Sequence, residues 1–303
     1  MFSGENFRSL EHARTVLKRY SDYYDTHTIK EYTAGNREQR QWIIQAAREQ
    51  RLMPTTEGSL DIEMNITEAI DGYSGHEHTW PTFPLQDDLI KFFGQSGISY
   101  TPTILVAYGG PWAEDFWFEQ GDVHGDKKLH RFLPHSEIDE KTLRRKGGGD
   151  NAGWFAPAEH IMKYVSDQVA DLIHAGGRAG VGSHGQFQGL GYHWELWNMA
   201  SGKLTAAEAL RIATIGGAED IGRQKDVGSL EAGKLADILV MDANPLVNIR
   251  NSNTLRYVMK NGRLYDANTL DEVWPRQKKA SFYWQSGDPD PMDNQGGGGK
   301  TKP

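Results

Sequence analysis

Side chains that could bind a metal ion or move a proton stand at the ends of four predicted β-rich stretches. They are the amine of Lys30, the carboxylate of Glu57, and the imidazoles of His78 and His184. Carboxylate oxygens and imidazole nitrogens are ligands for zinc and similar divalent ions, and imidazole also accepts protons near neutral pH. These residue types suit a ligand- or metal-binding site, provided that the fold brings the four positions together.

A glycine-rich stretch, residues 179–197, carries the last of these side chains. It begins as a short apolar run after Gly176-Gly177, places Ser183 and His184 in a loop, and continues as a predicted helix. A histidine flanked by glycines at the end of a buried strand suits close approach of a ligand or metal to the backbone. A tight strand-to-helix turn with a hydrogen-bonded histidine is the alternative, and the stretch alone leaves both interpretations open.

Alternating strand and helix patterns predict how these side chains are positioned. Strands are predicted at 25–32, 52–58, 75–78, 100–108 and at the start of 179–197. Helices are predicted at 4–20, 37–50, 62–70, 86–95, 157–175 and 205–222, the last with Thr205 as N-cap and Glu208 at N3. This order indicates an α/β fold with a parallel sheet covered by helices, and the carboxyl ends of its strands converge at one edge.

Residues 110–155 break this alternation. The segment is aromatic and charged and contains Gly147-Gly148-Gly149, so we predict an irregular lid or binding loop. Three tryptophans of this segment, and a tyrosine just before it, either line a substrate pocket or pack in the core. They are Trp112, Trp117, Trp154 and Tyr108.

The C-terminal part has a different sequence pattern, which predicts β-strands and turns. Residues 227–241 form a β segment with a turn at 231–233, and residues 257–265 predict a hairpin with Asn261-Gly262 as a type I′ turn. We therefore predict three regions: an α/β region over 1–222, a small β module over 223–285, and a disordered tail over 286–303.

Composition limits the classes of function. The chain has 303 residues, a net charge of −8 with both signs interspersed, and no cysteine. This balance argues against a nucleic-acid partner, and the lack of cysteine excludes disulfides and thiolate chemistry. No apolar run has the length of a membrane helix and no signal core opens the sequence, so we expect a soluble chain without a membrane partner. The compartment stays open: cytoplasmic, or periplasmic or secreted if a signal lies upstream.

Three stretches resemble the metal-dependent amidohydrolase superfamily. Residues 228–246 with 258–263 look like its C-terminal signature, and residues 206–214 resemble the helix after its last barrel strand. The block from Ser183 to Trp197 is similar to an imidazolonepropionase-like branch that is often joined to an upstream β-propeller. The resemblance implies a (β/α)8 barrel that binds one or two divalent ions, usually zinc, and hydrolyses carbon–nitrogen bonds, including those of cyclic amides, in small-molecule substrates.

The resemblance also implies roles for individual residues. Lys30 matches the lysine of the fourth barrel strand, which is often carboxylated, and His78 matches the metal ligand of the sixth strand. Thr55 stands where the fifth-strand histidine is expected, so Glu57 either replaces that ligand or the ligand is lost. His184 stands where the eighth strand normally has an aspartate that binds metal and acts as general base. The expected catalytic residues are His184 and Lys30, the metal ligands are Lys30, Glu57, His78 and His184, and the substrate-binding candidates are Tyr108, His76, Ser183 and Glu195.

One departure affects the whole barrel. The family's first strand ends in His-x-His, yet the only histidines before Lys30 are His12 and His27. The order of strands implies a partial (β/α)8 barrel, about strands four to eight, with the C-terminal part of a small β-sandwich module. Its sheet edges are then open, and a fragment of a longer chain, a homo-oligomer or a complementing chain would explain them. A catalytically incomplete relic, or an assembly module that recruits a partner through the open edge, remains the alternative to an active hydrolase.

Overall fold

The computed structural model describes residues 7–32, 35–106, 111–146 and 155–282. The strands in these residues are β1 (Thr28–Glu31), β2 (Met53–Thr56), β3 (Gly75–Glu77), β4 (Ser99–Thr101), β5 (Arg178–Ala179), β6 (Ile238–Met241), β7 (Leu255–Lys260), β8 (Arg263–Asp266) and β9 (Glu272–Trp274). The α-helices are α1 (Leu10–Tyr23), α2 (Arg37–Glu49), α3 (Ile62–Asp71), α4 (Asp87–Ser96), α5 (Ala113–Gln120), α6 (Lys127–Phe132), α7 (His135–Lys146), α8 (Met162–His174), α9 (Leu190–Met199), α10 (Ala206–Arg211) and α11 (Gly217–Asp220).

A parallel sheet with the order β1-β2-β3-β4-β5 organises the first part of the described chain. Every neighbouring pair in it is parallel, with Lys30 opposite Thr55 and Glu77 opposite Thr101. The expected α/β fold with a parallel sheet is therefore confirmed. Because all five strands run the same way, residues that follow β1 to β5 emerge at the same edge of the sheet.

Apolar side chains on the helices that connect these strands form the core. In α2, Asn36 and Gln39 form a reciprocal capping box, and Ile43, Ile44 and Ala47 are buried. Trp80 stacks on Phe93 of α4 and on Tyr100 of β4, with ring centroids 4.2 and 4.0 Å apart respectively. This aromatic stack fixes the layer of helices against the middle of the sheet.

The fourth strand is shorter than the pattern 100–108 predicts. It ends at Thr101, and a 3₁₀ turn (Ile104–Val106) follows. Pro102 cannot donate to a sheet ladder. The carboxylate of Glu195 in α9 accepts hydrogen bonds from the backbone N–H groups of Ile104 and Leu105, at 2.6 and 2.9 Å. Pro102 thus ends the strand, and a side chain about ninety positions away holds the turn that follows.

The prediction of irregular structure across 110–155 is wrong for residues 113–146, which form α5, α6 and α7. Local signals for these helices exist: Asp126 caps α6 by accepting from the N–H groups of Lys128 and Leu129. Trp117 of α5 is buried and packs on Trp194 and Trp197 of α9. Burial of this apolar face against α9 stabilises helices that the mixed composition did not reveal.

An antiparallel sheet with the order β6-β7-β8-β9 forms the C-terminal part. Asn261 and Gly262 both have positive φ, 47° and 76°, as the predicted type I′ hairpin requires. Ser252, in the turn before β7, contacts α9 through His193 Nδ1 and Trp197 Nε1, at 3.0 and 2.9 Å. The predicted tail, 286–303, lies outside the described residues.

The helix predicted at 205–222 begins as expected, with a Thr205–Glu208 capping box. It is interrupted by a π-helical turn at Ile212–Gly216 before α11. Across the described ranges, no helix is both long and apolar enough to cross a membrane.

The buried Glu195 makes the free energy of unfolding depend on pH. Its pKa is raised to about 8, mainly by burial; the two backbone N–H groups oppose this rise and nearby Glu114 contributes to it. An unfolded glutamate ionises near 4.5, so between about pH 4.5 and 8 the folded chain holds one more proton. The free energy of unfolding therefore falls as pH rises through this window, by up to about 1.4 kcal/mol per pH unit.

Glu195→Gln should remove that part of the slope, measured by urea unfolding between pH 5.5 and 7.5. Glu208→Gln is the matched control, because hydrogen bonds from His174 and Thr205 hold the pKa of Glu208 at about 2, so its titration lies below the window. Equal slopes in the wild type and in Glu195→Gln would contradict a protonated Glu195.

Candidate functional site

A buried ion-pair chain joins the ends of the first three strands. The Nζ of Lys30 donates to Glu57 Oε2, and His78 Nε2 lies 2.8 Å from Glu57 Oε1. Glu57 and His78 are only 5% and 3% exposed, whereas the Lys30 side chain is 37% exposed. Three residues from three separate strands thus meet at one point, with the carboxylate in the middle.

The sheet ladder sets the positions of Glu57 and His78 beyond the strand ends. The Glu57 N–H donates to the carbonyl of Glu31 at 2.9 Å, and the His78 N–H donates to the carbonyl of Thr101 at 2.8 Å. These bonds continue the parallel pairing by one residue past each strand. The backbone positions of Glu57 and His78 are therefore each fixed by a bond to the neighbouring strand.

Two further residues complete the group around His78. Thr103, just after β4, has its Oγ1 2.6 Å from His78 Nδ1. The ring of His184 lies 5.1 Å from that of His78, centroid to centroid, at an interplanar angle of 57°. Since the Glu57 carboxylate only accepts, a neutral His78 ring carries its proton on Nε2, and its Nδ1 accepts from the Thr103 hydroxyl.

Strained backbone is concentrated in this group. His78, Thr103 and His184 have φ of 70°, 48° and 50°, in the left-handed region that non-glycine residues seldom adopt. For Thr103 the branched Cβ makes this conformation especially unfavourable. Each such residue costs on the order of 1–3 kcal/mol and persists only where its surroundings impose it, which is typical of functional sites.

Electrostatics keep the central carboxylate ionised. Burial by itself would raise the pKa of Glu57, but the hydrogen bonds and charges of His78 and Lys30 outweigh it and bring the pKa down to about 2. Glu57 is therefore negative at neutral pH inside an almost enclosed position. A buried carboxylate anion beside an imidazole is a donor set that suits a zinc-type divalent ion.

Within this group, Glu57, His78 and His184 carry lone pairs that can ligate a metal, whereas the Lys30 ammonium does not. As an ammonium group Lys30 has three donors and no lone pair, so it neutralises Glu57 and cannot ligate a cation in that form. His184 is exposed and lies on the solvent side of His78. The group thus combines an enclosed anion with an accessible imidazole.

Of the other candidate residues from the sequence, those in the described ranges lie away from the group around His78 or only border it. His76 is fully buried, with Nε2 3.2 Å from Glu68 and Nδ1 accepting from Trp80 Nε1. Glu195 is fully buried under the turn after β4. Ser183 is half-buried and accepts from the N–H of Gly185 at 3.4 Å. Tyr108 and Trp154 lie outside the described residues.

Sequence reasoning missed Thr103 and Asp220. Thr103 has no local signal, because its role depends on the turn that Glu195 imposes. Asp220, at the end of α11, is 8% exposed, and burial raises its pKa to about 7, with Arg178 opposing this and Glu77 and Glu219 adding to it. It lies in an open cleft on the sheet face together with Lys30 and Thr55.

A family comparison covers most of the chain. The model of the family described as "Amidohydrolase family" matches residues 28–265, a span from β1 to β8 that contains the whole group around Glu57.

Individual relatives match either a short stretch of this chain at higher identity or most of it at low identity. An imidazolonepropionase of Shouchella clausii (strain KSM-K16) is 42% identical over 71 residues, 23% of this chain and 13% of that protein. The crystal structure of a Xaa-Pro dipeptidase with methionine bound in its active site has a TM-score of 0.58 at 20% identity, covering 86% of this chain and 59% of the other. A putative prolidase from Bifidobacterium longum gives 0.59 at 21%, covering 90% and 61%. The chain thus spans less than two thirds of the length of these relatives.

Gly58 is required for the position of Glu57. Its φ is +75°, and a Cβ there would lie 2.7 Å from the carbonyl oxygen of Glu77, the residue before His78. We expect Gly58→Ala to separate Glu57 from His78 and to lower the free energy of unfolding by about 2–4 kcal/mol, combining backbone strain with overpacking.

Gly97→Ala is the control for this substitution. Gly97 has φ +80°, but an added Cβ meets nothing within 4 Å, so only the conformational cost of about 1–2 kcal/mol applies. Urea unfolding of both variants at pH 7 measures the difference. Equal losses would show that the carbonyl of Glu77 can yield to the methyl group without cost.

Proposed function

Since the chain belongs to the amidohydrolase family, we propose that it is the C-terminal part of a metal-dependent enzyme that hydrolyses carbon–nitrogen bonds in small molecules. The observation that carries this proposal is the Glu57–His78 contact of 2.8 Å, which joins the carboxyl ends of two parallel strands in an almost enclosed position. Carboxyl ends of parallel strands are where barrel enzymes place their chemistry.

The proposed architecture is a partial (β/α)8 barrel, about strands four to eight, followed by the C-terminal part of a small β-sandwich module. Support comes from the parallel sheet, whose edge strands are β1 and β5, and from relatives of which this chain covers about three fifths. In this proposal residues 1–222 are the barrel part and 223–285 the β module. A further segment or a second chain pairs with the open edges.

Glu57, His78 and His184 are the proposed metal ligands, with Lys30 joining them only if its amine is carboxylated. A divalent ion bound there, zinc by this donor set, would lower the pKa of water to about 7 and polarise the scissile carbonyl. Glu57 supplies the negative charge, and the Thr103 hydroxyl holds His78 in one tautomer and orientation, as outer contacts do for ligating histidines.

As the alternative to ligating the metal, His184 is the proposed general base, because a neutral imidazole has one free nitrogen lone pair and cannot fill both roles at once. Its imidazole is exposed, so it can reach both a water molecule and the leaving nitrogen of a substrate. It accepts a proton as water attacks the carbonyl carbon and returns that proton to the nitrogen as the C–N bond breaks. Ser183, one residue earlier in the same loop, is the nearest proposed substrate contact, and Tyr108 is a further candidate; His76 and Glu195 are fully buried and are not proposed as contacts.

Zinc affinity and hydrolysis test the proposal. In the purified protein, Glu57→Gln and His78→Asn should each weaken zinc binding by at least about tenfold and abolish hydrolysis of a panel of cyclic amides and dipeptides. Affinity is measured by competition with a chromophoric chelator, and bound zinc by elemental analysis.

His174→Asn is the matched control. His174 Nε2 lies 2.8 Å from Glu208, so the pair has the same chemistry as His78 and Glu57, but it is exposed on α8 and α10. This variant should keep zinc affinity and activity. A zinc stoichiometry unchanged in both Glu57→Gln and His78→Asn would refute the proposed ligands, and absence of hydrolysis by the zinc-loaded wild type would favour a catalytically incomplete relic.

A further inference from the structure

A second group of metal-ligand side chains lies away from the strand ends. It consists of His124, in the turn after α5, with His135 and Asp139 in the first turns of α7. One ligand atom from each of the three lies within 4.8 Å of the others. His135 and Asp139 are four residues apart on one helix, a spacing that places both side chains on the same face.

The distances in this group fit a tetrahedral ion. His135 Nε2 lies 3.3 Å from Asp139 Oδ2, and His124 Nδ1 lies 3.6 Å from Asp139 Oδ1. Bonds of about 2.0–2.1 Å from zinc to nitrogen or oxygen give ligand–ligand separations of about 3.3 Å in a tetrahedron. Each imidazole is therefore close to tetrahedral spacing from one of the two Asp139 oxygens, and the ligand atoms of the two imidazoles lie within 4.8 Å of each other.

His135 is the buried member of the group, and its Nε2, which faces Asp139, is the nitrogen that would bind the ion. The residue is 8% exposed, and its Nδ1 is buried without a hydrogen-bond partner among the described residues. A buried ring nitrogen in this state costs about 1–3 kcal/mol. Its other nitrogen faces the Asp139 carboxylate, so the ring is placed by polar contacts rather than by apolar packing alone.

The backbone around His124 is also fixed. Asp122 accepts the Gly125 N–H on both its Oδ1 and its carbonyl, at 2.9 and 3.2 Å, which closes a tight turn. His130 Nε2 donates to the His124 carbonyl at 2.7 Å, and its ring stacks on that of His135 at 5.6 Å between centroids. Rigid placement of ligands before the ion binds favours affinity.

We propose that His124, His135 and Asp139 bind a zinc-type divalent ion that is separate from the site at Glu57. With three protein ligands, the fourth position of the tetrahedron is open to water or to a group from elsewhere. The ion ties the turn after α5 to the beginning of α7, two elements that lie in the segment where the sequence indicated only irregular structure.

Cobalt titration of the full chain tests this proposal, because tetrahedral Co²⁺ has visible absorption bands and follows zinc in ligand preference. The titration is performed in the Glu57→Gln/His78→Asn background, which removes the ligands proposed for the first site. We expect one saturable equivalent of Co²⁺, displaced by Zn²⁺, and a rise in melting temperature when the ion binds.

His124→Asn and Asp139→Asn, each added to that background, should weaken the Co²⁺ affinity at least about tenfold. His174→Asn removes an exposed histidine that also pairs with a carboxylate, and it should leave the affinity unchanged. Because His124 and Asp139 are partly exposed, both variants are expected to fold, and far-UV circular dichroism checks this. Absence of a saturable band, or equal affinity in all variants, would show that the three side chains form ion pairs only.

Discussion

The contact between Glu57 and His78 is the interaction on which the candidate site depends. A carboxylate that is 5% exposed stays ionised only because His78 and Lys30 compensate its loss of solvation. Removing either partner would leave a buried anion, so the three residues act as one unit. The sheet brings them together, since Lys30 lies in β1, and Glu57 and His78 directly follow the neighbouring parallel strands β2 and β3.

The turn after β4 extends this unit by one more residue. Glu195 holds the N–H groups of Ile104 and Leu105, and the turn that results places Thr103 with positive φ against His78. Thr103 then hydrogen-bonds the ring nitrogen that does not face Glu57. A fully buried carboxyl in α9 thus determines, through the backbone, the orientation of an imidazole that it does not touch.

The sequence predicted those features that depend on local or periodic patterns of residues. Alternating strand and helix patterns predicted the parallel sheet, and the strand-end rule brought Lys30, Glu57, His78 and His184 into one group. The sequence could not predict the role of Thr103, because the turn that places it is held by Glu195, about ninety positions away. The helices across 113–146 were missed because their stability comes from packing of residues such as Trp117 against α9 rather than from a clear periodic pattern.

At the proposed metal site, Lys30 and a divalent ion would compete for the same carboxylate. The Lys30 ammonium donates to one oxygen of Glu57 while His78 faces the other, so both oxygens already have partners. An ion that binds Glu57 brings two positive charges next to that ammonium, and like charges this close in a poorly solvated position repel strongly. Lys30 must then move toward solvent, which its 37% exposure permits, or lose its charge. The ion pair therefore stabilises the metal-free form of the site, and part of the binding free energy of any metal is used to displace Lys30.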